Sequence, residues 1–421
     1  MVSGGRDVFG APAGGRFRPQ DRSAGHEGRC LMTLPRVELG HCWGGRVPQL
    51  AGAFDAARPF GESFFGKMKR RDHIDIGYAC AMFAVSALAL DRISSPAPFC
   101  GIEVEPHPVR IFSAGKLGGK MSQLQRTVVI GLGSMGYGMA QSCLRAGHET
   151  YGFDVAIEPM VRLQAEGGGD APLSEVSGKA DAVVVVVLNA AQTEDVLFGP
   201  QGVVPLMRQG AVVVACATVP PEFAREMAAR CEALGVHYLD APISGGALKS
   251  AAGQLSIMAA GKAAAFSAAG AVLKATAETV FEVGDVAGAG SAMKAVNQLL
   301  AGVHIATMAE AMTFGMTQGV SPDMFVEVIS KCAGSSWMLE NRAPHIVAGD
   351  YTPHSQVNIW PKDLGIVLDI AKAANFSAPL TETALQQFDA AAVMGLGRED
   401  DAAVAKVYAR NAGLTLPGED V

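Results

Sequence analysis

The stretch Thr127-Val128-Val129-Ile130-Gly131-Leu132-Gly133-Ser134-Met135-Gly136 decides the fold. Its first four residues are apolar or β-branched and read as a buried strand. Glycines stand at 131, 133 and 136, and a helical stretch, Tyr137 to Ala146, follows. A glycine turn between a strand and a helix is a ready anion site, because the helix start offers free N–H groups and the positive end of its dipole. Gly131 permits the tight turn, Gly133 lets the backbone approach a pyrophosphate, and Gly136 allows close helix–strand packing. Residues Gly131, Leu132, Gly133, Ser134, Met135 and Gly136 are therefore the candidate cofactor cradle. The plain alternative is a turn that binds nothing, so the flanking pattern matters.

The next strand, Glu149 to Phe153, ends at Asp154, which lies 21 residues after Gly133. That is near the spacing of the acid that binds adenosine ribose hydroxyls. A carboxylate there repels a 2′-phosphate, and no Arg follows at Val155, Ala156 or Ile157 to welcome one. NAD is favoured over NADP on this reading. Further strands follow: Val183 to Leu188 after Asp181-Ala182, Ala211 to Ala215 after Gly210, and His237 to Asp240. Helical stretches such as Pro221 to Leu234 lie between them. Continuous apolar strands alternating with helices predict a doubly wound parallel sheet.

Asp240-Ala241-Pro242-Ile243-Ser244-Gly245-Gly246 follows the last of these strands. Gly245 and Gly246 can expose successive N–H groups and Ser244 adds a hydroxyl, which together suit a carboxylate. Pro, Ser and Gly also make plain turns, and the residues alone leave both readings open. A long helical pattern runs from about Ala292 to Gln318, on the order of 40 Å at 1.5 Å per residue. Lys294 sits near its start, with Asn297 and Gln298 on the same face. A lysine among Met293, Ala295, Val296, Leu299 and Leu300 is either solvated or held in a functional pocket. Partial burial would lower its pKa toward the range useful for proton transfer.

Composition bounds the rest. The chain has 421 residues, 49% of them hydrophobic and 18% charged, with a net charge of −7. That balance suits a large core, and the charge gives no reason to expect nucleic acid or anionic membrane as a partner. A seam lies near Met121: residues 1–120 hold 16 Lys and Arg against 11 Asp and Glu, so that segment is basic and the remainder strongly acidic. Residues 1–60 are rich in Gly, Arg and Pro with no periodicity. The one strong apolar run there, Gly77 to Leu90, is too short to span a bilayer, which takes about 20 residues. The segment reads as an irregular, mostly disordered extension, and Met121 reads as a candidate native start. The eight cysteines show no C-x-x-C and no metal-ligand spacing, which fits reduced thiols in a cytoplasmic protein without a bound metal.

Four motifs in order, GLGSMG at 131–136, DAPISGG at 240–246, GSAMKAVNQ at 290–298 and KDL at 362–364, resemble the β-hydroxyacid dehydrogenase family over Met121 to about Gly418. The resemblance implies an α/β Rossmann-type doubly wound sheet followed by an all-α domain joined to it by the long helix. The implied boundaries are 1–120 for the extension, 121–287 for the NAD-binding domain and 288–421 for the helical domain. It implies Lys294 as general acid/base, and Asn297 or Gln298 as groups that orient substrate or lysine. Ser244, Gly245 and Gly246 would hold the substrate carboxylate, and Thr218 would lie near the nicotinamide ribose. Lys362 would reach toward cofactor and substrate. A homo-oligomer, dimer or tetramer, is expected.

Within the family, VVVVVLNAAQTEDVLFG at 183–199, NQLLAGVHIA at 297–306, SSWMLENR at 335–342 and GDYTPHS at 349–355 are most similar to the branch that oxidises L-threonate. Ser355 stands where the family usually has an aromatic, which suits a polyhydroxylated substrate. Trp337, Asn341 and Arg342 could shape the same pocket. The alternatives are another family substrate, such as 3-hydroxyisobutyrate or tartronate semialdehyde, and a non-catalytic dinucleotide-binding protein, which would be expected to lack Lys294.

Overall fold

A computed structural model describes residues 109–113 and 124–419. The apolar run at Gly77 to Leu90, the Met121 start and nearly all of the 1–120 extension lie outside the described residues.

The strands are β1 (Arg110–Ser113), β2 (Arg126–Ile130), β3 (Glu149–Phe153), β4 (Ala182–Val185), β5 (Val212–Ala215), β6 (His237–Asp240), β7 (Ile243–Ser244), β8 (Leu255–Ala260) and β9 (Ala277–Gly284). The helices are α1 (Gly136–Arg145), α2 (Ile157–Ala165), α3 (Leu173–Ser177), α4 (Ala190–Phe198), α5 (Pro221–Ala233), α6 (Gly246–Ala252) and α7 (Ala263–Thr276). The second set is α8 (Ala289–Thr317), α9 (Pro322–Ile329), α10 (Trp337–Ala348), α11 (Ile359–Ala373), α12 (Pro379–Val393) and α13 (Ala405–Ala412).

The sheet runs β1-β9-β8-β6-β5-β4-β2-β3, with β7 paired to β8 off that path. The block β3-β2-β4-β5-β6 is parallel throughout. β8 pairs antiparallel with β6, and β9 returns parallel to β8. The order reverses between β3 on one side of β2 and β4 on the other. That switch point opens a crevice at the carboxyl ends of the strands, where ligands bind in open α/β sheets. All residues of β4 and β5 are buried, as expected of strands covered on both faces.

Two features differ from expectation. β4 stops at Val185, although the apolar run continues to Leu188. Val186 still donates its N–H to the Ile130 carbonyl at 2.8 Å, but the next residues turn across the crevice mouth, leaving Leu188 exposed. Within the stretch read as irregular, Arg110–Ser113 forms β1, antiparallel to β9 from Arg110 opposite Glu282 to Ser113 opposite Thr279. A four-residue edge strand carries too little periodicity to be read, and here the open edge of β9 supplies its partners.

The long helix α8 carries the chain out of the sheet domain. Its later turns form the axis of a second core, where Ile305, Met308 and Met312 are buried with Trp360 and Phe388. The rings of Trp360 and Phe388 stack with centroids 5.5 Å apart. Gly302 lets α11 approach α8: a Cβ there would lie 2.9 Å from Trp360 Cε3 and 2.8 Å from Leu364 Cδ2.

Candidate active site

The glycine turn is built as the spacing requires. Gly131 has φ +92°, and a Cβ on it would lie 2.3 Å from the Val186 carbonyl oxygen. A Cβ on Gly136 would lie 1.8 Å from the Gly131 carbonyl oxygen, so the start of α1 sits directly on the turn. Gly133 is different: a Cβ there would meet nothing within 4 Å. Its smallness serves space outside the protein, which is where a pyrophosphate would lie. No side chain caps α1, so the N–H groups at its start, other than that of Tyr137, which donates to the Gly133 carbonyl at 3.1 Å, remain available to an anion. Ser134 is exposed beside them. Asp154, at the end of β3, accepts from Leu132 N at 2.6 Å and from Ala156 N at 2.9 Å. These bonds fix the carboxylate against the turn and leave lone pairs on both oxygens for hydroxyl groups. Thr218 lies half-buried in the loop after β5, at the same end of the sheet. The residues present fit a dinucleotide.

Beside this cradle, Lys294 is buried on the first turns of α8, with 8% of its surface exposed. Its Nζ donates to the Ile243 carbonyl at 2.9 Å, one residue before Ser244. Burial pushes its pKa down to about 8; nearby Asp363 pulls the other way and Lys362 adds to the lowering. Thus the amine is poised between its charged and neutral forms near neutral pH. Asn297 Nδ2 donates to Gln298 Oε1 at 2.9 Å, and Gln298 Nε2 donates to Asp363 Oδ2. Lys362 Nζ pairs with Asp363 Oδ1 at 2.6 Å and donates to the Leu188 carbonyl at 2.8 Å. Asn297, Gln298, Asp363 and Lys362 therefore form one connected chain whose charges act on Lys294, and Lys362 ties the helical domain to the Leu188 carbonyl.

Ser244 and Gly245 line a cleft of about 830 Å³ together with Asn297, His304 and Trp337. Gly245 (φ +137°) and Gly246 (φ +75°) both take backbone conformations that favour glycine, which turns the chain sharply into α6.

Three expected pocket residues lie elsewhere in role or place. Arg342 is buried against Asp401, and its guanidinium also donates to Asn341 Oδ1. Trp360 Nε1 donates to the same Asp401 carboxylate at 2.9 Å. A buried guanidinium needs a carboxylate, and the Asp400-Asp401 turn supplies it inside the helical core rather than at the cleft. Ser355 offers its carbonyl to Asp401 N at 2.8 Å and is absent from the cleft lining. Trp337 alone of the proposed set faces the cleft.

The sequence reading gave no role to Asp363 or Asp240. Asp363 lies inside the KDL motif, and the signal available was an acid that a helix places next to a lysine. Asp240 accepts from Gly288 N at 2.7 Å, Ser291 N at 2.9 Å and Ser291 Oγ at 2.7 Å. It caps the start of α8 and thereby sets where Lys294 stands. Burial pushes the Asp240 carboxyl pKa up, against the pull of these hydrogen bonds. Cys143, Cys216, Cys231 and Cys332 are all free, and burial pushes the first three thiols up to about 12.

Comparison with known proteins agrees with this geometry. The family described as the NAD binding domain of 6-phosphogluconate dehydrogenase matches residues 126–284. The family described as NAD-binding of NADP-dependent 3-hydroxyisobutyrate dehydrogenase matches residues 288–408. The L-threonate dehydrogenase of Cupriavidus necator is 49% identical over 69% of this chain and 97% of its own. The L-threonate dehydrogenase of Escherichia coli O6:H1 is 45% identical over 69% of this chain and 96% of its own. The crystal structure of 3-hydroxyisobutyrate dehydrogenase from Salmonella typhimurium is 48% identical, covers 67% of this chain and 99% of its own, and superposes with a TM-score of 0.64. Together with the glycine cradle and the buried lysine, these matches make the chain an NAD-binding oxidoreductase that belongs to the β-hydroxyacid dehydrogenase family.

Proposed function

We propose that this enzyme oxidises L-threonate at C2 to 2-dehydro-L-erythronate with NAD as acceptor. The observation that carries the reading is Lys294: a buried amine with a pKa of about 8, held by the Ile243 carbonyl one residue from the carboxylate-binding loop. Bound nicotinamide supplies the hydride-accepting carbon. Ser244, with the N–H groups of Gly245 and Gly246, grips the substrate carboxylate. That grip presents the carbinol carbon to the crevice, and orientation of this kind removes much of the barrier. Lys294 in its neutral form takes the C2 hydroxyl proton as the carbonyl develops. Gln298 and Asn297 hold the substrate face of α8, and Gln298 fixes the Asp363 carboxylate that favours the protonated lysine once it forms. Asp154 binds the adenosine ribose hydroxyls and repels a 2′-phosphate, while the 131–136 loop and Thr218 hold the remainder of the cofactor. Lys362 closes the crevice from the helical side.

Support for L-threonate comes from the relatives of that name, and the Salmonella structure of similar identity carries a different substrate name. An NADH-formation assay across L-threonate, D-threonate, D-erythronate, 3-hydroxyisobutyrate and D-glycerate decides. The largest kcat/KM falls on L-threonate; activity confined to 3-hydroxyisobutyrate overturns the substrate. We place the enzyme in the cytoplasm as a homo-oligomer; light scattering of the purified chain checks the assembly, and cell fractionation checks the location.

A further inference from the structure

The cleft lined by Ser244, Gly245 and Asn297 is larger than a four-carbon acid needs. It measures about 830 Å³. L-threonate has about nine non-hydrogen atoms, and even at roughly 30 Å³ each, the bulk share of a water molecule, it fills only about a third of that space. The unfilled part runs along α8. Asn297 and His304 are two turns apart on this helix, so they share a face and lie about 10 Å apart along its axis. An acid gripped beside Asn297 by its carboxylate stops short of His304.

That far end mixes apolar side chains, among them Met308, Phe325, Ile329 and Met338, with a few polar groups. His304 is half-buried in the cleft wall, and its imidazole makes no hydrogen bond among the described residues. Ser335 and Ser336 stand on the opposite wall, where their hydroxyls serve the start of α10 through Glu340 and Leu339 N. Trp337 lies next to them with 58% of its surface exposed. A flat indole face suits the C–H face of a sugar chain, and an imidazole can both give and accept a hydrogen bond with a hydroxyl. An apolar extension would leave His304 desolvated and unpaired, whereas a hydroxyl beside it restores the lost hydrogen bond while the C–H face of the chain meets the apolar wall.

We propose that the cleft accepts aldonic acids longer than four carbons, with His304 as the specificity-determining residue that reads a distal hydroxyl and Trp337 as the platform beneath the chain. This rests on the reading of Lys294 and the Ser244 loop as the reacting end.

The test uses the full chain with NAD. It compares L-threonate with five- and six-carbon aldonates of the same configuration at C2 and C3, in the wild type and in His304→Ala. Calorimetric binding of the same acids is measured in parallel. In the wild type the six-carbon acid reaches a kcat/KM within about tenfold of L-threonate. In His304→Ala the ratio of the six-carbon to the four-carbon value falls by about tenfold, the loss of one hydrogen bond. Turnover of L-threonate with the six-carbon acid more than about 100-fold worse overturns the proposal, as does an unchanged ratio in the variant. If L-threonate itself is not turned over, the functional reading above fails instead. Calorimetry then decides the cleft: six-carbon binding weakened by His304→Ala supports it, and no binding overturns it.

Discussion

The proposed mechanism rests on Lys294 because its surroundings make an ordinary lysine useful. An exposed amine stays protonated at neutral pH and cannot accept a proton, whereas burial lowers this one to about 8. The sign follows directly. Oxidation needs the neutral amine, so kcat/KM for the hydroxy acid rises with pH and levels off above about 8. Reduction of the keto acid needs the ammonium and falls over the same range. A pH profile taken in both directions shows opposite limbs around one inflection. Lys294→Ala lowers kcat by roughly 10²–10⁴-fold while NAD binding, followed by calorimetry, changes little. Asp154 gives a second test at this scale. Asp154→Ala removes the charge that repels a 2′-phosphate and shifts the NAD/NADP ratio of kcat/KM toward NADP by tenfold or more, an energy of about 1.4 kcal/mol. It also frees Leu132 N, so absolute NAD affinity falls.

At the scale of elements, the decisive object is the joint between β6 and α8. Asp240 ends the strand and receives both N–H groups and the hydroxyl at the start of the helix. Asp240→Ala strands buried donors and costs about 3 kcal/mol of stability, read in denaturant unfolding. Because the helix start carries Lys294, kcat falls as well. Further along, Gly302→Ala forces a methyl against Trp360 and Leu364 and costs about 1–3 kcal/mol, with the loss in the helical domain. The parallel block was legible because each strand is a short apolar run closed by a turn signal, and Gly131 to Gly136 set the first crossover. β7, β8 and β9 escaped. Ser244, Ser256 and the polar side chains of β9 break the apolar run, and pairing with distant strands holds these segments. The candidate lysine stood out only through the family motif, since its apolar neighbours alone left both a solvated and a pocketed lysine open. Its partners were not legible, since the Ile243 carbonyl is a backbone atom and Asp363 joins the site only when α11 packs on α8. Arg342 misled for the same reason: its carboxylate partners lie 58 and 59 residues later in the chain.

For the whole molecule, the Lys362 contact joins two halves that otherwise own separate cores. It spans 174 residues of sequence to reach the Leu188 carbonyl, two residues past the Val186 that backs the glycine turn. Ligand binding to the turn therefore bears on the helical domain through a polar strap. Saturation with NAD at about 100 times Kd adds roughly 2.7 kcal/mol to the unfolding free energy of the binding-competent state. Where that stabilisation appears depends on the strap. In the wild type, amide exchange slows on NAD addition both in the 131–136 turn and along α11. In Lys362→Met the turn is still protected, but α11 loses most of its gain, and KM for the hydroxy acid rises several-fold. Hydrogen exchange followed by mass spectrometry separates the two regions. Equal protection of α11 in both proteins would mean that packing along α8, and not Lys362, couples the domains.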